Sequence, residues 1–279
     1  MLEMERDPGF RLPLLDPLSA EITRRQMFLV LGGLLLAPTV AADTARDWYY
    51  DQKISESLQQ YPNARFYFHN AATNPDMLQK SLQTGAPNIE IDVLSIDGKL
   101  YAAHSEKELK IMSDDQKEDQ RLANIITKII DAGKCPAFDI KFGKDEPNVF
   151  EEFMRLVKVL VPKNRPATFS GKDFKVLGQI PSGEKRIVVY TVERGKEKEY
   201  FSLAKIWIDN GGKLGQGATI NSDLATDRSP ILEFNRENGL ETNIWSVNNL
   251  SQVFDLLKRG ATGITSDNAQ MLNKLVHAS

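Results

Sequence analysis

The sequence predicts an α/β fold of the (β/α)8 (TIM) barrel class, and three observations carry the prediction. Short apolar runs alternate with amphipathic runs from Arg65 onward, about eight times, with no long linker and no break in composition. The apolar runs are short and buried on both sides, as the strands of a parallel sheet are. No glycine fingerprint follows the first of them, which argues against an open, dinucleotide-binding sheet. A single barrel over residues 43–279 accommodates this alternation.

Taken in order, "RFYFH" (65–69) reads as the first strand, with Phe66 and Phe68 on one face and Tyr67 and His69 on the other. A helix follows, with Asn74 as N-cap, Pro75 at its first position and Gly85 at its end. "IEIDVL" is the second strand, and Asp97-Gly98 turns it into "KLYAAH". "EDQRLANIITKIIDAG" reads as one helix, with Leu122, Ile125, Ile126, Ile129 and Ile130 on one face and Gly133 as its stop. "PAFDIK" is a strand and "NVFEEFMRLVKVL" a helix. The same rhythm continues through "PATFS", "RIVVYTV", "GATINS", "ETNIWSV" and "TGITS", with a helical segment after each. "NGGKLGQG" (210–217) lacks the Gly-Lys-Ser/Thr ending of a phosphate-binding loop and reads as a connection.

Residues 1–42 read as an export segment ahead of the barrel. Arg24-Arg25, an apolar run from Met27, Pro38, and Val40 and Ala42 at the −3 and −1 positions have the layout of a secretory signal. Arg24-Arg25-Gln26-Met27-Phe28 is similar to a twin-arginine signal, so the expected destination is the periplasm or the exterior. The apolar run is short for a membrane span and holds a proline, so no stable span is expected in the mature form.

Composition narrows the partners. With 35 Lys and Arg against 38 Asp and Glu, the net charge of −3 gives no reason to expect nucleic acid. The one cysteine, Cys135, excludes an internal disulfide and reads as a structural thiol. Oligomeric state is not legible.

The unusual residues fall at strand ends, where a barrel of this class keeps its chemistry. Glu90 and Asp92 are two apart, so they share a face, with Ile89, Ile91 and Val93 opposite; Asp139 and Lys141 repeat that pattern. His69 ends the first strand and His104 the strand paired with the Glu90 strand. Three buried carboxylates need a compensating cation or a shared proton. Glu90, Asp92 and Asp139 form an all-oxygen set suited to one divalent cation, Mg²⁺ or Ca²⁺. Lys141 adds a fixed positive charge for a phosphate oxygen, and two histidines across the site suit general acid and base. His277, near the end, reads as a solvated tail residue.

The motifs "FHNAA", "IEIDV", "IDGKLYAAHS", "FDIK", "IWSVNN" and "KRGATGITSD" resemble those of the glycerophosphodiester phosphodiesterase family and its superfamily of phospholipase-like barrels, over nearly the whole of 43–279. The resemblance implies His69 and His104 as the acid–base pair and Glu90, Asp92 and Asp139 as ligands of one divalent cation. It implies Lys141 and Asn70 beside the phosphate and Trp245 as a pocket wall, with a small-molecule or lipid phosphodiester as substrate. Asn70 stands where the family has Arg, Ser105 where it has Asp, and Asp139 where it has Glu. The Asp-x-Lys strand is similar to the sphingomyelinase D/phospholipase D-type branch, whose product is a cyclic phosphate. A non-catalytic lipid- or phosphate-binding barrel is the alternative outside enzymes.

Overall fold

The computed structural model describes residues 52–69, 75–143, 146–181, 185–209, 215–225 and 229–278. The export segment and the expected site residue Asn70 lie outside these, as does the expected N-cap Asn74. In chain order the elements are β1 (Arg65–Phe68), α1 (Pro75–Leu82), β2 (Asn88–Ile96), β3 (Lys99–Ala102), α2 (Glu106–Ile111), α3 (Asp114–Asp119), α4 (Leu122–Asp131), β4 (Cys135–Ile140), α5 (Pro147–Leu160), β5 (Ala167–Gly171), α6 (Phe174–Leu177), β6 (Arg186–Val192), α7 (Glu197–Asp209), β7 (Gln216–Asn221), α8 (Pro230–Asn238), β8 (Glu241–Trp245), α9 (Leu250–Lys258), β9 (Gly263–Ser266) and α10 (Ala269–Ala278).

The strands form one sheet in which β1 pairs with both β2 and β9, so it closes into a barrel. Every pairing in the ring is parallel; only β3 runs antiparallel, alongside the outer half of β2. This is the predicted (β/α)8 barrel with a hairpin added.

The alternation of each strand sorts its residues between two environments. Phe68, Ile89, Ile91, Phe138, Phe169, Val188, Ile220, Ile244 and Ile264 face outward into one apolar layer beneath the helices. The α4 face predicted from spacing, Leu122, Ile125, Ile126 and Ile129, is buried in it, and Phe138 packs edge-on to Phe153 at 5.2 Å. Ile54 and Leu58, from a helical stretch at 52–58, complete this layer. The opposite set faces the barrel interior and is mostly polar, with Ala137, Ile187 and Val189 among the exceptions. Its floor is closed by the Arg65–Glu241 ion pair and by the Tyr67 hydroxyl, 3.1 Å from Thr168 Oγ1. A Cβ at Gly263 would stand 2.6 Å from Asn243 Oδ1, so any larger residue there must displace the Asn243 side chain.

One expected helix is two. The run 118–133 breaks at Gln120 and Arg121, between α3 and α4. The break serves β3, which is otherwise an edge strand with unpaired backbone groups. Ala102 N–H donates to the Gln120 carbonyl at 2.9 Å, Tyr101 bridges to Arg121, and the Arg121 guanidinium lies 5.1 Å from the centre of the Tyr101 ring. The Asp97-Gly98 turn is as read, with both residues at positive φ, 50° and 71°.

Candidate active site

The hairpin is what sets the site. β2 outruns its barrel partner β4, turns at Asp97-Gly98 and returns as β3, so the chain reaches the barrel mouth again at His104. There α2 begins. Ser105 caps it, accepting from Glu108 N–H at 3.4 Å, and the Glu108 carboxylate accepts the His104 backbone N–H at 3.0 Å. The residue that departs from the family pattern after the second histidine is therefore a helix cap.

A cavity of about 240 Å³ opens at the C-terminal ends of the strands, lined among others by His69, Glu90, Asp92, His104, Asp139, Lys141 and Trp245. Every expected site residue among the described ones is there; Asn70 lies outside them. Asp92 and Asp139 are level with one another across β2 and β4, and oxygens of Glu90, Asp92 and Asp139 all lie within 4.8 Å of each other. The Lys141 ammonium spans two of them, donating to Asp92 Oδ1 at 2.9 Å and to Asp139 Oδ2. Ser170 Oγ donates to the other Asp139 oxygen at 3.2 Å.

The charges perturb one another. Burial pushes the Asp139 carboxyl upward, Lys141 pulls it down, and Asp92 pushes it up again; the net is upward. Burial works against the Lys141 charge too, but Asp139 and Asp92 outweigh it and hold the ammonium above its usual range. Lys141 is thus engaged with Asp92 as well as with its strand neighbour Asp139.

Both histidines are held at Nδ1. His69 Nδ1 is 2.7 Å from Asp267 Oδ1 and 3.3 Å from Ser246 Oγ, and its Nε2 is 3.7 Å from Glu90 Oε2. His104 Nδ1 is 3.1 Å from Asp92 Oδ2. A carboxylate only accepts, so each Nδ1 carries the proton and each Nε2 carries the ring's lone pair. The His69 and Trp245 rings stack with centroids 6.2 Å apart.

Asp267 is the residue that sequence reasoning missed. It follows β9 within the quoted "GITSD", and its place in that motif was the available signal. Asn248 holds its other oxygen at 3.2 Å and bonds its backbone N–H at 3.0 Å. Burial raises the Asp267 carboxyl, but the bonds from His69 and Asn248 outweigh that and leave it below the usual carboxylate range. Cys135 is half-buried with its thiol pushed up by burial, against Arg165 and Lys185. His277 is exposed in the last turn of α10.

Fold and site together define a (β/α)8 barrel with three acids, a lysine and two carboxylate-held histidines at its mouth. No family model and no curated protein matches the chain. Solved structures do. A phosphodiesterase from Oleispira antarctica, solved with its product sn-glycerol-3-phosphate, is similar at 19% identity, covering 77% of this chain and 96% of that one with a TM-score of 0.56. Glycerophosphodiester phosphodiesterases from Parabacteroides distasonis (16% identity, 77% and 98% covered, TM-score 0.59) and Thermotoga maritima (18%, 76% and 98%, 0.56) are similar over the same extent. At these identities the likeness is one of fold: the chain has the barrel seen in glycerophosphodiester phosphodiesterases.

Proposed function

We propose that this protein is a divalent-metal-dependent phosphodiesterase that hydrolyses glycerophosphodiesters or related phospholipid-derived diesters by histidine acid–base catalysis. The observation that carries the reading is the pair of histidines, each held at Nδ1 by a carboxylate, around a cluster of three acids.

Glu90, Asp92 and Asp139 fit a hard cation: they are carboxylates, their oxygens converge within 4.8 Å, and they carry more negative charge than Lys141 balances. One Mg²⁺ or Ca²⁺ held there would neutralise charge on the nonbridging phosphate oxygens. The rest falls to the chain. Lys141 sits between two of the acids, within a side chain's reach of a phosphoryl group beside them. Nε2 of one histidine, neutral, takes the proton of the attacking water, and the other, entering as the imidazolium, gives its Nε2 proton to the leaving alcohol. Asp267 and Asp92 keep both rings in the required tautomer, and Trp245 walls the pocket.

The test is turnover of glycerophosphodiesters and lysophospholipids, with and without chelator. Wild type turns over at least one, chelator abolishes it, and His69→Ala and His104→Ala each lower kcat by about 10²–10⁴. Full activity in both variants overturns the mechanism; ligand binding without turnover favours a binding protein. The Asp139-x-Lys141 strand favours a second reading, in which a substrate hydroxyl replaces water and a cyclic phosphate forms. Phosphorus NMR of the product separates the two.

Export by the twin-arginine route belongs to the same proposal. It rests on Arg24-Arg25 and the apolar run after them. Replacing both arginines by lysine is expected to retain the protein in the cytoplasm, read by cell fractionation.

A further inference from the structure

The cavity does not end at the acids. A second lobe of about 280 Å³ adjoins it, and Lys172, Thr191 and Trp245 line both. A phosphodiester has two arms, and this lobe is placed to take the one that points away from the histidines.

The wall of the first lobe has a consistent chemistry. β5 to β9 present small hydroxyl and amide side chains to the interior: Ser170, Thr191, Thr219, Asn243 and Thr265. Ser170 is already bonded to Asp139, and Asn243 to Thr265 at 3.1 Å. Thr191 is different. It is 8% exposed, and its hydroxyl is buried with no partner. Four other buried side-chain atoms among the described residues are also unpartnered, on Ser95, Arg121, Gln216 and Ser229, and none of these residues lines either lobe.

The strand alternation accounts for the position. Val188, Tyr190 and Val192 of β6 face the outer apolar layer, so Thr191 faces inward at the strand's C-terminal end. A valine there would fill the same volume without the cost of an unpaired hydroxyl. Staggered rotamers of threonine interchange hydroxyl and methyl positions, which gives the covered hydroxyl a route to the cavity wall. Lys172, the other polar residue common to both lobes, is fixed at the rim by Glu193, 2.5 Å away.

We infer that Thr191 determines specificity for a diester arm that carries a free hydroxyl group, which it hydrogen-bonds where the two lobes meet. The inference rests on the phosphodiesterase reading and names the residue that distinguishes a hydroxyl-bearing arm from one without it. A site that spends a buried hydroxyl on a substrate hydroxyl binds the arm lacking it less well, because the enzyme's group then stays unpaired.

The experiment compares p-nitrophenyl phosphodiesters whose second arm is glycerol or propyl, in wild type and Thr191→Val. The expected result is a fall of about tenfold in the glycerol-to-propyl ratio of kcat/KM, carried by KM. Thr191→Ser restores the ratio, and the melting temperature of Thr191→Val is equal to or above that of wild type. An unchanged ratio in Thr191→Val overturns the inference, as does a wild type that prefers the propyl arm. If wild type turns over neither diester, the phosphodiesterase reading fails separately. Calorimetric binding of sn-glycerol 3-phosphate against propyl phosphate then decides this one, by whether wild type prefers the former and Thr191→Val loses that preference.

Discussion

His69 carries two constraints, a carboxylate at Nδ1 and an indole face beside it, and the first sets its chemistry. Asp267→Asn replaces an obligate acceptor with a group that can also donate, so the ring loses its enforced tautomer. We expect kcat to fall by about 10²-fold or more with KM little moved, read by steady-state kinetics. The same residue predicts a pH effect. The folded carboxyl lies below its usual 3.8, so its stabilising bonds are fully present above that value and are lost as pH falls through the lower, folded value. The melting-temperature difference between wild type and Asp267→Asn should shrink as pH falls below 3.8. Lys141→Met removes the cation between Asp92 and Asp139. It should lower stability in chelator by about 2 kcal/mol, less than for a fully buried pair because the lysine is 28% exposed. A divalent cation added to the variant should recover most of the loss, measured by thermal melting.

At the scale of elements, the hairpin and the barrel floor do different work. β2 and β3 rise beyond the barrel and bring His104 back to Asp92; the break before α4 pairs the hairpin's free edge. Both the Asp97-Gly98 turn and the acids on one strand face were legible, because they depend on local φ and on a period of two. The break at Gln120 and Arg121 was not. The helical pattern around it is good, and only the unpaired backbone of β3, distant in sequence, overrides it. The floor depends on glycine. A Cβ at Gly217 would run into the Glu241 carbonyl of the neighbouring strand, where no flexible side chain can give way. Gly217→Ala should therefore cost about 3 kcal/mol or leave the protein insoluble, read from denaturant unfolding.

At the scale of the molecule, residues 52–58 join the apolar layer through Ile54 and Leu58, each 4% exposed. A chain starting at Arg65 should be less stable than one starting at Asp43 by about 4 kcal/mol, from the burial of those two side chains, as measured in urea. Among the described residues no helix is long and apolar enough to cross a membrane. The sequence by itself determined the barrel, because strand and helix periods and their alternation are local properties. It singled out the acids, both histidines and Lys141 as well, because polar residues on the inward face or at the end of a buried strand stand out against their neighbours; Trp245 came from the family resemblance alone. Only the tertiary structure decided that Asp267 orients His69, that Lys141 bridges Asp92 and Asp139, and that Thr191 is left with an unpaired hydroxyl between two lobes. Those are relations between strands far apart in the chain, and closing the barrel brings them within bonding distance.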